Sequence, residues 1–117
     1  LVFDGVTIGA VDVYGIDARN LRAGVGIIVD ANARRAGHAK AGLYLISEWA
    51  FEHLGLRSLF AEIPGSHRPS LDLFLGAGFS ECGRYRDWLR KDGGWDDVIL
   101  VQRMNTAPTT NEALAPK

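Results

Sequence analysis

The segment Ile27-Ile28-Val29-Asp30-Ala31-Asn32-Ala33-Arg34-Arg35-Ala36-Gly37-His38-Ala39-Lys40 joins an apolar run to two arginines, several small residues and a glycine. The apolar run has the character of a strand, and the pattern after Gly37 is helical. A loop of this kind leaves backbone N–H groups unpaired at a helix N-terminus, where the helix dipole favours an anion. Gly37 and Ala39 keep side chains away from an approaching phosphate. Arg34, Arg35 and Lys40 add positive charge that can pair with phosphate oxygens. The ligand expected here is a pyrophosphate. A glycine serving only a tight strand-to-helix turn would explain the same Gly-x-Ala, because short motifs also match by chance. Neither Gly-x-x-x-x-Gly-Lys-Ser/Thr nor Gly-x-Gly-x-x-Gly occurs, and no His and carboxylate pair stands at metal-ligand spacing. Cys82 is the only cysteine, so an internal disulfide and a multi-Cys zinc site are both ruled out.

The elements that must position this segment follow from periodicity and breakers. Thr7 to Tyr14 is expected as a strand, forming a hairpin with Val2-Phe3 through an Asp4-Gly5 turn. Ile16 to Asn20 is expected as a polar connection. Ala23 to Val29 is a buried-type strand in which Gly24 and Gly26 signal a bulge or a close backbone approach. After the loop from Asp30 to Ala36, the helix from Gly37 to Leu54 carries Ala39, Leu43, Ile46, Ala50 and His53/Leu54 at steps of three and four, and Gly55 stops it. Ser58 to Ile63 is a strand broken by Pro64-Gly65. A second helix begins near Pro69, runs through Leu71, Leu73, Phe74 and Leu75, and ends at Gly78. Phe79 to Leu89 and Trp95 to Val101 form a hairpin around Lys91-Asp92-Gly93-Gly94. The order describes a mixed α/β domain with helices packed on a mostly antiparallel sheet.

Composition narrows the function classes. With 117 residues the chain suits one domain. Apolar residues make up 47% and charged residues 23%, which is ordinary for a globular protein. The formal charge of −1 argues against a nucleic-acid partner, and no apolar run reaches the ~20 residues of a membrane span. A cytoplasmic location is expected. The chain starts with Leu1-Val2-Phe3 rather than Met, inside a strand-like segment, so upstream residues are expected to be missing. Asn105 to Lys117 lacks periodicity and is expected as a mobile tail beyond a domain spanning residues 1–104.

Arg34-Arg35-Ala36-Gly37-His38-Ala39 resembles the Arg/Gln-x-x-Gly-x-Gly/Ala signature of the GCN5-related N-acetyltransferases (GNAT family), with the preceding strand and following helix in that family's order. Phe60-Ala61-Glu62-Ile63, Arg68-Pro69-Ser70-Leu71 and Gly76-Ala77-Gly78-Phe79 are similar to its later strand and helix. Gly83-Arg84-Tyr85-Arg86-Asp87 and Asp92-Gly93-Gly94-Trp95-Asp96-Asp97-Val98-Ile99-Leu100 resemble the closing hairpin of its ribosomal-protein and polyamine branch. The resemblance runs from about residue 2 to 104. It implies a mixed, mostly antiparallel central sheet with helices on both faces, and acetyl transfer from acetyl-coenzyme A to a primary amine, either a small molecule or a protein N-terminus. Missing upstream elements would leave apolar surface exposed, so pairing with a partner chain or a second copy as a homodimer is a further expectation.

The resemblance also implies roles. The strand at Ile27, Ile28 and Val29 would splay from its neighbour and meet the pantetheine arm. Arg34, Arg35, Ala36, Gly37, His38, Ala39 and Lys40 would hold the pyrophosphate, and His67 and Ser70 would contact the coenzyme. The chain departs from the pattern at three positions. Phe74 stands where many relatives carry a tyrosine that protonates the leaving thiolate. Gly24 replaces a glutamate that acts as base or water-holder, and His67 replaces an asparagine. The catalytic acid and base are thus unassigned, with His67 as a candidate relay. The alternative is a catalytically degenerate acyl-coenzyme A-binding module or sensor, assembling with a partner chain. Simpler roles compete at each position. Phe74 suits a core, His67 a surface loop, and Ser70 a helix cap. Tyr44 suits packing, and Tyr85 and Trp88 suit either core packing or an acceptor pocket. Cys82 is expected as a buried strand residue, and Asp96 and Asp97 as a solvated hairpin rather than an attractor of a cationic acceptor.

Overall fold

The computed structural model describes residues 2–3, 6–7, 9–29 and 36–106. Along the chain these form β1 (Val2–Phe3), β2 (Val6–Thr7), β3 (Gly9–Asp17), β4 (Arg22–Val29), α1 (Ala36–Leu54), β5 (Ser58–Pro64), α2 (Arg68–Gly76), β6 (Ser80–Lys91) and β7 (Gly94–Met104). β1 and β2 pair with each other, and the remaining strands make one five-stranded sheet in the order β3-β4-β5-β7-β6. Only β4 and β5 run parallel. A parallel neighbour requires a crossover, and α1 supplies it.

Side-chain alternation divides the sheet into two faces. Ala23 pairs with Leu59, and Ala61 with Val101, so Ala23, Val25, Leu59, Ala61, Ile63, Ile99 and Val101 share one face. They form a single buried cluster with Leu43, Ala50 and Phe51 of α1 and Leu71 and Phe74 of α2. Each such large side chain stabilises the fold by about 1.5–3 kcal/mol through burial. Both helices therefore lie on the same face. Helices on both faces, as the resemblance implied, are not found among the described residues. The opposite face carries Tyr14, Gly24, Phe60 and Glu62.

Of the stripe expected in α1, Ala39, Leu43 and Ala50 are inside and Ile46 is half-buried, but His53 and Leu54 at its end are exposed and Phe51 is buried instead. Ser47 is fully buried, and its Oγ donates to the Leu43 carbonyl at 2.7 Å, so this buried hydroxyl is not left unpaired. Arg103 of β7 ties the sheet to this helix. Its guanidinium pairs with Glu48, and its Cζ lies 4.4 Å from the Tyr44 ring centroid and 5.4 Å from that of Phe51. Tyr44 therefore serves packing.

Several expectations are corrected. The strand expected over 7–14 is divided: Thr7 belongs to the β1–β2 hairpin, while β3 continues to Asp17 and pairs with β4. The expected polar connection shrinks to a turn held by the Asp17 carboxylate, which accepts from the Arg19 and Asn20 backbone N–H groups and from Asn20 Nδ2. Cys82 is exposed, not buried, because β6 is the edge strand of the sheet and is exposed along almost its whole length. Tyr85 and Trp88 are not core either; they are exposed and lie against each other at 4.6 Å, beside Asp87 at φ 50°. Asn105 is anchored, donating to the Arg57 and Leu56 carbonyls at 2.8 and 3.1 Å. Residues 107–117 lie outside the described residues.

Candidate functional site

The parallel ladder between β4 and β5 is short. It pairs Arg22 with Ser58, Ala23 with Leu59 and Gly24 with Phe60, and no later pair forms among the described residues. Yet β4 continues to Val29 and β5 to Pro64, each held on its far side by β3 and β7. The strands thus diverge beyond Gly24 and Phe60. Backbone donors and acceptors on the facing edges of Val25–Val29 and Ala61–Pro64 are left without ladder partners. Such groups need satisfying by water or by a ligand with amides of its own. Ile27, Ile28 and Val29 all lie on the β4 side of this opening.

α1 begins at Ala36, so Ala36, Gly37, His38 and Ala39 occupy its first turn, where backbone N–H groups have no partner within the helix. No acidic residue stands in that turn to occupy them. Arg34 and Arg35 lie outside the described residues, as does the rest of the loop from Asp30. Lys40 is exposed and its stem runs past Gly76, where a Cβ would come within 2.7 Å of Lys40 Cδ. The glycine at the end of α2 makes room for it.

The capping role that sequence offered Ser70 falls to His67 instead. The cap of α2 is His67, whose Nδ1 accepts from the Ser70 backbone N–H at 3.3 Å. Ser70 is the donor and not the capping side chain. Pro69 fills the first turn, where a missing N–H costs nothing. Phe74 is buried and meets Phe79 edge-on at 5.0 Å, so it packs and has no proton to give.

Gly24 has a specific reason to be glycine. Tyr14, its partner on β3, lays its ring over it. A Cβ at Gly24 would run into Cε2 and Cζ of that ring and stand 2.8 Å from Oη. The phenol thus fills the space that a side chain on β4 would otherwise take. Sequence reasoning passed over Tyr14. The signal available was the pair of glycines two residues apart in a buried-type strand, which foretold a close approach but not its donor.

Asp96 and Asp97 are neither a solvated hairpin nor a free acidic lure. Asp96 accepts from Ser66 Oγ at 2.7 Å and faces Lys91 Nζ at 3.8 Å. Asp97 accepts from the Asp87 backbone N–H at 2.9 Å and pairs with Arg84 at 3.0 Å. The Ser66 hydroxyl bond holds the Asp96 carboxyl below its ordinary value, and the Asp87 N–H together with Arg84 does the same for Asp97. These groups line an open cleft of about 560 Å³ between α2 and the β6–β7 hairpin, together with Arg68, Leu71 and Ile99. Its charges are already paired, Arg84 with Asp97 and Glu81, Arg68 with Asp72 and Asp96 with Lys91, which leaves the β4–β5 opening as the better candidate.

The acetyltransferase (GNAT) family model matches residues 1–79. The chain is 38% identical over 92 residues to YwnH of Bacillus subtilis (strain 168), assigned provisionally as a phosphinothricin acetyltransferase; the match covers 77% of this chain and 55% of that protein. Among solved structures it is similar to a spermidine N-acetyltransferase from Vibrio cholerae in complex with CoA and spermine, with a TM-score of 0.76 and 21% identity over 83% of this chain and 57% of that one. The manganese complex of the Vibrio cholerae enzyme gives 0.74 at the same identity. At that identity the likeness is one of fold. The chain spans a little over half the length of each of these relatives.

Proposed function

This chain belongs to the GNAT acetyltransferase family, and from that premise we propose that it is an N-acetyltransferase using acetyl-coenzyme A to acetylate a primary amine. The observation that carries the proposal is the divergence of β4 from β5 immediately before the turn into α1. The unpaired strand edges fit a ligand arm that contains amides. The first turn of α1, with no acidic residue in it, fits a diphosphate; Lys40 adds positive charge, and Arg34 and Arg35 precede the helix in the sequence. When bound, the coenzyme would supply an activated acetyl thioester. The chain's own part is placement: backbone donors of Ile27, Ile28 and Val29 hold the arm, and the opening brings an amine to it in a fixed orientation. Phe74 is buried and has no hydroxyl, so that position supplies no acid.

Isothermal titration of the protein with acetyl-coenzyme A should show binding, lost on Gly37→Glu together with Arg34→Glu. Thiol release with a panel of amines then reads turnover. Absence of binding in the unaltered chain would remove the proposal.

A second reading has its own support. Gly24 is covered by the Tyr14 ring and Phe74 is buried, so neither position offers the family's acid or base. A degenerate acyl-coenzyme A-binding module would bind the coenzyme tightly and release no thiol with any amine. Light scattering on the same samples tests assembly with a second copy.

A further inference from the structure

The sheet face away from α1 and α2 carries groups at the β4–β5 opening that the coenzyme site leaves unused. Register places Tyr14, Gly24 and Phe60 side by side across β3, β4 and β5, where the parallel ladder ends. The Tyr14 ring is held from two sides. It lies on the bare Gly24 backbone, passes 3.9 Å from where a Cβ of Gly26 would stand, and meets the Phe60 ring at 6.4 Å with planes 77° apart. It nevertheless stays 46% exposed, and its hydroxyl makes no hydrogen bond to a described residue. Two residues further along β5, on the same face, Glu62 is exposed and forms no ion pair with a described residue. At about 3.3 Å per residue it stands about 7 Å beyond Phe60, on the wall of the opening. Alternation puts Val98, Leu100 and Gln102 of β7 on the same face beside it, and Asp12 of β3 on that face across the opening. None of these is a cation, so Glu62 has no counter-ion among the described residues.

We propose that Tyr14 is the acceptor-positioning residue, and that an alkylammonium group binds on its exposed ring face with Glu62 as counter-ion. The chemistry follows from the parts. An aromatic face attracts a cation within about 6 Å of its centroid, and the Tyr14 and Phe60 rings also shelter an apolar stem. A carboxylate of the same face selects positive over negative acceptors. With Asp12 adding charge of the same sign on the β3 side, a diamine is favoured over a monoamine. The bareness of Gly24 and Gly26 is what allows the phenol to lie flat at the closed end of the opening. The inference rests on the transferase reading only in calling the bound amine an acceptor; the binding itself stands apart from it.

The test uses 1,4-diaminobutane and n-butylamine as probes, titrated calorimetrically into the full chain, Glu62→Gln, Tyr14→Leu and Tyr14→Phe. The diamine should bind more tightly than butylamine. Glu62→Gln and Tyr14→Leu should each weaken it tenfold or more, while Tyr14→Phe, which keeps the ring, should stay within about threefold. Acetyl-coenzyme A affinity, measured on the same samples, should not move among the four proteins. Equal diamine affinity in the unaltered chain and both weakened variants overturns the subsite, as does no diamine binding at all. Failure of the unaltered chain to bind coenzyme while it binds diamine overturns the transferase reading alone.

Discussion

At the scale of single residues, the contact between Tyr14 and Gly24 makes a measurable coupling. Gly24→Ala places a methyl group where the phenol lies, so the ring must leave. What is lost is the edge contact with Phe60 and the burial beneath the ring, about 1 kcal/mol. In a Tyr14→Ala background the same substitution meets no obstacle, and a strand gains about 0.5–1 kcal/mol when alanine replaces glycine. Urea denaturation of the four proteins should therefore give Gly24→Ala opposite signs in the two backgrounds. Equal costs in both would mean that the ring does not rest on Gly24. His67 offers a second reading at this scale. Its Nδ1 caps α2, so His67→Ala should cost about 1 kcal/mol, and His67→Asn, a good capping residue, should recover most of it. A coenzyme-contacting role without a capping role would leave both variants as stable as the parent.

At the scale of elements, the β6–β7 hairpin and the turn before α2 are joined by carboxylates, and that junction is acid-sensitive. Asp96 and Asp97 have folded-state values held below the ordinary carboxylate range by the bonds from Ser66, Asp87 and Arg84. Groups shifted in this direction stabilise the fold above their unfolded value near 3.9 and stop doing so as pH falls through the lower folded value. The thermal midpoint should fall as pH drops below about 4, and Asp97→Asn should flatten that fall while lowering the midpoint at neutral pH. An unchanged acid slope in Asp97→Asn would show that Asp97 is not linked to folding. These partners also mark where sequence stops being informative. The stripe Ala39, Leu43, Ala50 could be read because a helix repeats locally, and the Asp92-Gly93 turn because its chemistry lies within four residues. The link between Ser66 and Asp96 spans 30 positions and depends on β5 lying beside β7, which no local pattern encodes. The exposure of Cys82 depends on β6 standing at the edge of the sheet, a place set by strand pairing and not by the strand's own residues. Helix capping by His67 was missed for a different reason: serine is the commoner cap, and the choice between neighbours is made by backbone geometry.

At the scale of the whole molecule, coenzyme binding must appear as stability, because a ligand that binds only the folded chain shifts the unfolding equilibrium by mass action. At a free concentration of 100 times its dissociation constant, acetyl-coenzyme A should stabilise the protein by about 2.7 kcal/mol. For a domain of this length that is an increase in thermal midpoint on the order of 10 °C. Gly37→Glu separates this effect from folding. Gly37 lies in the first turn of α1, where glycine is a poor helix former and a negative side chain is favoured by the helix dipole. Without ligand, the variant should melt at or slightly above the midpoint of the parent. With ligand, the increment should vanish, because the new carboxylate occupies the amides and repels a diphosphate. The two measurements thus move in opposite directions, which generic damage to the fold cannot produce. A variant that retains the full increment would place the coenzyme away from the start of α1. A variant that melts well below the parent without ligand would show that Gly37 serves the strand-to-helix turn itself.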